Sequence, residues 1–182
     1  LTRLYEPKRL TASVLRNRPM SAHDKLPVAD DWFAIEAADE NGVRRVHETH
    51  VHEYSGGSMW LVVGKERALL VETSVGVAPL RAFVETITNK PVIAFASLGY
   101  YDHAGGLHQF DERWIHANDA HRVEQPDHIN TAAQRYLDGT FAALPHEGFD
   151  PTSHVMPTSK PTRRPSSSRP RAASTSSSRW RA

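Results

Sequence analysis

The chain contains no cysteine, which excludes disulfide bonds, thiolate metal sites and cysteine nucleophiles. Long apolar runs are also missing, because runs such as residues 60–63 and 68–71 are far too short to span a bilayer. The opening residues LTRLYEPKRL lack the apolar segment of a secretory signal and do not begin with methionine, so the natural start stays open. We therefore expect a cytoplasmic protein with no membrane partner.

Two common functional signatures are absent as well. No Gly-rich phosphate-binding motif and no serine nucleophile elbow occur in the sequence, which argues against nucleotide-binding and serine-hydrolase classes. Histidine, in contrast, is abundant, with 11 among 182 residues. Because histidine is the commonest side-chain metal ligand, this abundance directs attention to metal chemistry. The length suffices for one medium-sized domain with its own core.

Acidic residues are missing from the end of the chain, since none follows Asp150 while Lys160 and six arginines do. Residues 1–150 therefore carry a net charge of about −6 and the remainder about +7. Residues 157–182 are Ser, Arg, Pro, Ala and Thr with almost no apolar side chains, which predicts a disordered basic tail. An out-of-frame translation is a second interpretation. A basic arm for nucleic acid is a third, but no recognition motif supports a specific nucleic-acid partner.

Hydrophobic periodicity predicts an α+β domain over residues 31–156, preceded by an irregular arm over residues 1–30. Strands are predicted at 32–38, 43–54, 59–63, 68–72, 92–97 and 113–117, with a hairpin joining the third and fourth. A helix is predicted from Pro79 to Asn89, because apolar residues recur at i, i+3, i+4 and i+7 from Leu80. Short helices are predicted at 105–110 and from a capping Asn118 to residue 125.

The stretch FASLGYYDHAGG, residues 95–106, holds adjacent Asp102 and His103 between a buried strand and a glycine pair. Histidines at i and i+2 of an extended segment can hold one metal ion, and an Asp-His pair beyond them can hold a second. In this order of elements, residues 58–121 resemble the metallo-β-lactamase superfamily, whose loop reads His-x-His-x-Asp-His-x-Gly-Gly. The segments WLVVGKERALLVETSVG and PVIAFASLGYYDHAGGLHQF carry the resemblance.

This resemblance implies the N-terminal part of a metallo-β-lactamase-like αββα sandwich. It also implies a zinc-dependent hydrolase of ester, amide, lactone or phosphoester bonds. Asp102 and His103 match the second-metal ligands of the family, where the aspartate also orients the attacking water. Glu72 takes the place of the usual supporting aspartate, and Ser74 stands where the family has glycine. Residues 105–106 match the glycine pair.

Two departures from the family pattern bear on activity. Leu98 and Tyr100 occupy the positions of the first-metal histidines, yet leucine has no donor atom and a tyrosine phenol stays protonated near neutrality. The family's later ligands have no match either, because the contexts of the remaining histidines differ: His128, His146 and His154. Zinc is therefore the cofactor that the resemblance implies, but we expect no closed zinc shell here.

We accordingly expect an impaired or inactive hydrolase, acting, if active, on a small-molecule substrate. The alternative is a non-catalytic remnant that acts only in binding, and the oligomeric state stays open. Half of a sandwich would leave one sheet face uncovered, which predicts an exposed apolar surface and poor solubility.

The segment HETHVHEY is the other histidine cluster. On a strand, His50 and His52 would share one face with Val46 and Glu48, and exposed strand residues are favoured over a weak metal site because no third ligand is placed. Asp102 has a rival interpretation as a helix N-cap. Three tryptophans are expected in the core or at its edge: Trp32, Trp60 and Trp114. Three histidines are expected at the surface or partly packed: His108, His116 and His121.

Overall fold

The structure is a computed structural model that describes residues 26–52, 55–126, 139–151 and 154–162. Six strands form one mixed sheet, ordered as in the chain: β1 Phe33–Ile35, β2 Val43–Glu48, β3 Met59–Val63, β4 Ala68–Val71, β5 Val92–Ala96 and β6 Glu112–Ile115. The pairs from β1 to β4 are antiparallel, and β5 is parallel to both β4 and β6. The described helices are α1 Leu80–Glu85, α2 Tyr101–Ala104 and α3 Ala120–Glu124, with a 3-10 turn at Leu107–Gln109. The α+β prediction is confirmed.

One face of the sheet carries the core. Leu61 pairs with Leu70, which pairs with Ala94, and all three side chains are fully buried. Because successive strand residues point to opposite faces, these aligned positions form a single apolar layer. Leu80 and Val84 of α1 pack on this layer, together with the other buried residues that follow β5 and β6: Leu107, Ala120 and Val123.

The opposite face of the sheet is apolar but only partly covered. Trp60 is 44% exposed and Leu69 is 37% exposed, and each pairs with a partly buried valine on the neighbouring strand. The expected exposed apolar surface is therefore present. The prediction of a core position holds for buried Trp32 but is wrong for Trp60, whose side of the strand faces away from the helices.

Strand β2 is shorter than the pattern predicts, because the chain turns at residues 49–50 and Val51 forms a bridge to Phe141. The predicted shared face of His50 and His52 is therefore wrong. His50 lies against the Trp32 ring, and its Nε2 is 2.9 Å from Asp31 Oδ1. The backbone N–H of His52 donates to Thr140 O. Glu53 and Tyr54 lie outside the described residues.

The region after β5 differs from the predicted single helix at 105–110. A short α-helix ends at Ala104, and the 3-10 turn follows, because Gly105 N–H donates to Ser74 O at 2.9 Å as well as within its own turn. A Cβ atom on Gly105 would lie 2.3 Å from Val75 O, so only glycine permits this close approach. The predicted Asn118 cap is also wrong, since α3 begins after Asp119 and has no side-chain cap.

Residues on both sides of the predicted domain, 31–156, contact it in the structure. Residues 26–30 contain no helix or strand, and Val28 forms a parallel bridge to Leu144. Ser159 N–H donates to Val123 O, and Thr162 N–H donates to Arg113 O, so residues 157–162, assigned by sequence to the tail, lie against α3 and β6. Residues 1–25 and 163–182 lie outside the described part. Within that part, no helix is long and apolar enough to cross a membrane.

Candidate functional site

The candidate site begins in the segment that follows β4. Glu72 and Ser74 have positive φ angles of 64° and 53°, a left-handed conformation that costs a non-glycine residue about 1–2 kcal/mol. Hydrogen bonds to the loop after β5 offset this cost. Thr73 N–H donates to His103 O at 2.8 Å, and Gly106 N–H donates to Thr73 O at 3.2 Å. The two loops are therefore fixed against each other at the ends of two neighbouring parallel strands.

This loop pairing brings Asp102 and His103 beside Glu72, as the sequence analysis expects. His103 Nδ1 lies 3.2 Å from Glu72 Oε2, and His103 Nε2 lies 3.6 Å from Asp102 Oδ2. The His103 Nδ1 atom is buried, and it makes no hydrogen bond to any of the described residues, because its contact with Glu72 does not have hydrogen-bond geometry. The imidazole is 32% exposed, so solvent reaches the group from one side.

Glu72 connects the imidazole to the loop backbone. Its two carboxylate oxygens each lie 3.3 Å from Ser97 N–H, immediately after β5. A carboxylate held by a backbone donor and directed at a histidine restricts the orientation of that ring. Glu72 therefore links the Ser97 backbone to the loop that carries Asp102 and His103.

Leu98 and Tyr100 are both exposed at the start of the loop. The Arg122 guanidinium carbon lies 4.6 Å from the centroid of the Tyr100 ring. Arg122 Nε donates in turn to Asp119 Oδ1 at 3.1 Å. The Arg122 guanidinium therefore lies beside the end of the loop where Leu98 and Tyr100 replace the histidines of the family pattern.

The donor set does not fit a zinc site. Structural zinc takes four protein ligands and catalytic zinc takes three. Asp102 and His103 supply two, and both ring nitrogens of His103 already face carboxylates. Across the described ranges, no group of three or more His, Cys, Asp or Glu side chains is placed to hold a metal ion.

Glu48 is a buried carboxylate behind the site that the sequence analysis did not single out. It is 5% exposed, and it accepts hydrogen bonds from Trp32 Nε1 at 2.9 Å and from Ser74 Oγ. Burial raises the pKa of Glu48 to about 7, against the opposing effect of hydrogen bonds from Ser74, Trp32 and the Val75 backbone. Its position beside Val46 on one strand face was the available sequence signal.

The remaining histidines take no part in this cluster. His108 Nδ1 lies 2.9 Å from Gly105 O, and burial lowers the pKa of His108. Burial also lowers the pKa of His154. As predicted, His121 is exposed and His116 is partly buried; the latter accepts a hydrogen bond from Asn118 N–H. His128 lies outside the described residues.

The strand order, the helix between β4 and β5 and the Asp-His loop agree with the order of elements that the resemblance to the metallo-β-lactamase superfamily implies. The chain is similar to acyl-coenzyme A thioesterase MBLAC2 of Homo sapiens, with 25% identity over 113 residues, covering 56% of this chain and 40% of the relative. The Gallus gallus protein of the same name is 24% identical over 143 residues, covering 73% and 50%. The chain is thus similar, over part of its length, to proteins of this name, and it shares the order of elements on which the resemblance to the metallo-β-lactamase superfamily rests. It spans half or less of the length of these curated relatives.

The solved structures with some likeness to the chain include metallo-β-lactamases. IND-7 is 19% identical, with a TM-score of 0.44 over 66% of this chain and 55% of that one. FIM-1 from Pseudomonas aeruginosa, in its mono-zinc form, is 16% identical, with a TM-score of 0.42 over 51% and 46%. No protein-family model matches the chain.

Proposed function

We propose that this chain is an impaired hydrolase in which the Asp102–His103 half of the site persists and the first-metal half is lost. One observation carries the proposal. Glu72 contacts the His103 ring beside Asp102, whereas Leu98 offers no donor atom and Tyr100 is stacked under a guanidinium. Zinc is the cofactor of the proposed ancestral site, and the donors now present are too few for it.

The residues that persist retain limited chemistry of their own. The Glu72 carboxylate lies 3.2 Å from His103 Nδ1, so a proton on Nδ1 would be near a negative charge. Nε2 then faces Asp102, whose carboxylate can accept a hydrogen bond from a water molecule at the exposed side. Such an arrangement can position water and move a proton, which alone contributes far less than a complete hydrolytic site.

A thioester is the substrate class to test first, because the similar proteins are named acyl-coenzyme A thioesterases. The substrate of this chain remains a proposal, since the similarity covers half or less of those proteins. Substrate choice depends on loops around a site rather than on the fold.

The alternative is a non-catalytic remnant that acts only in binding. The same donor count favours it, because no metal-holding group of three side chains occurs in the ranges that the structure describes. The two proposals differ in one respect: residual hydrolysis would depend on Asp102, whereas binding alone would produce no turnover.

The test measures zinc content and thioester hydrolysis in three purified proteins. These are the original chain, the variant Asp102→Ala and the matched control Asp111→Ala. Asp111 is an exposed carboxylate paired with Arg81, away from the loop. We expect well under one zinc per chain and weak hydrolysis that Asp102→Ala abolishes and Asp111→Ala preserves. Tight stoichiometric zinc would overturn the impaired site, and turnover that survives Asp102→Ala would overturn the assigned residue. No turnover in any protein favours the remnant.

A further inference from the structure

Arg122 contacts the loop after β5 at two residues, and a third contact with Asp119 at the start of α3 orients its side chain. Its guanidinium stacks on the Tyr100 ring at 4.6 Å, and its Nε donates to Asp119 Oδ1 at 3.1 Å. Its aliphatic part covers buried Gly99, where an added Cβ would lie 2.7 Å from the Arg122 Cβ and 2.9 Å from Asp119 O. Only glycine at position 99 leaves room for this packing.

The contacts place a permanent cation beside the altered half of the motif. Gly99 is buried and its neighbours Leu98 and Tyr100 are exposed, so the arginine stem lies on the Gly99 side. The guanidinium then reaches the Tyr100 ring face. An arginine side chain stays charged at all pH values that proteins tolerate, and its planar group suits stacking on an aromatic ring.

We propose that Arg122 excludes a divalent metal ion from the Leu98–Tyr100 end of the loop, so that histidines at these two positions do not suffice to restore tight metal binding. The inference rests on the proposed function only in taking positions 98 and 100 as the altered ligand positions. Its physical basis is the repulsion between a divalent ion bound at positions 98 and 100 and the Arg122 guanidinium, which lies beside position 100. Asp119 offsets part of that charge and holds the arginine in place.

The experiment compares zinc affinity, by competition with a chromogenic chelator, in two variants. The first carries Leu98→His and Tyr100→His, and the second adds Arg122→Gln. We expect the second to bind zinc at least about ten-fold more tightly, because loss of one nearby positive charge favours the bound cation. The matched control adds Arg67→Gln instead, since Arg67 pairs with Glu112 at 2.8 Å on another part of the sheet. The control should change the affinity less than about two-fold.

Equal zinc affinity with and without Arg122→Gln, including no binding by either variant, would overturn the proposal. Arg122→Lys in the same background keeps the charge and loses only the planar guanidinium shape, so we expect affinity as weak as with arginine. A lysine variant that binds as tightly as the glutamine variant would refute the role of charge. Circular dichroism checks that each variant is folded.

Asp119→Asn supplies a test that removes no part of the arginine. In the background with both histidines, loss of the neutralising carboxylate should weaken zinc binding several-fold. Unchanged or tighter binding would contradict the inference. Failure of the proposed function would be distinguishable, because it would appear as tight zinc binding by the unmodified chain. Failure of this inference would appear only as unchanged zinc affinity when Asp119 or Arg122 is substituted.

Discussion

Replacing Glu48 with glutamine should remove a pH dependence from the stability of the domain. The pKa of this carboxyl is raised from 4.5 to about 7 in the folded chain because burial disfavours its charged form. The folded state therefore holds the proton more tightly than the unfolded state does. The resulting stabilisation is fully present below pH 4.5 and is lost as the pH rises through about 7.

The magnitude follows from the difference between the two values. Each pKa unit corresponds to about 1.4 kcal/mol, so the free energy of unfolding should fall by about 3 kcal/mol between acid and alkaline pH from this group alone. A glutamine at position 48 stays neutral and keeps an oxygen acceptor for the Trp32 indole. Its amide can donate to Ser74 Oγ, because a hydroxyl oxygen also accepts. The variant should equal the original chain near pH 4 and exceed it near pH 8.

Urea unfolding at several pH values, followed by tryptophan fluorescence, measures this effect because Trp32 contacts the substituted group. The informative quantity is the difference in free energy between variant and original chain, in which the other titrating groups cancel. Glu36→Gln is the matched control, since this carboxylate is exposed and pairs with Arg45 at the surface. Its difference should stay within about 0.5 kcal/mol at every pH. If the free energy of unfolding varies with pH in the same way for Glu48→Gln and for the original chain, the proposed effect of Glu48 is refuted.

Two further predictions concern packing. Gly105→Ala should destabilise the domain by about 3 kcal/mol in urea unfolding, because the added Cβ would collide with Val75 O. Gly42→Ala is the control, since Gly42 has a φ of +79° but open space around it, and it should cost about 1 kcal/mol. Equal losses of stability in the two variants would contradict the close approach at Gly105. Leu69→Lys should reduce self-association in sedimentation velocity, because it places a charge among the exposed apolar residues around Trp60. An original chain that sediments as a single monomeric species would contradict this expectation.

Local patterns predicted the elements whose period is unambiguous. The hairpin of β3 and β4, helix α1 and buried strand β5 all lie where alternation, the helical period or a continuous apolar run predicts them. The boundaries were predicted less well. Strand β2 ends early because the chain turns at residue 49, and the helix after β5 is divided because the glycine pair bonds to the loop after β4. Both limits come from partners distant in sequence.

The same division applies to the candidate site. Asp102 and His103 were identified because their signal is a short motif after a buried strand. Glu48 was treated only as one position on a strand face. Alternation with Val46 could place it on the buried side, but its hydrogen bonds to Trp32 and Ser74 depend on segments distant in sequence. Arg122 had no signal at all, because its contact with Tyr100 depends on how α3 packs beside the loop.

The sequence by itself determined the chemistry available: no thiolate ligands, an intact Asp102–His103 pair, and side chains at positions 98 and 100 that do not replace histidine. Only the tertiary structure decided which groups meet. Hydrogen bonds between the loops after β4 and β5 bring Glu72 to His103, the loop after β4 brings Ser74 to Glu48, and helix packing brings Arg122 to the altered end of the loop. These contacts join segments far apart in the chain, and their geometry depends on the assembled sheet rather than on any local pattern.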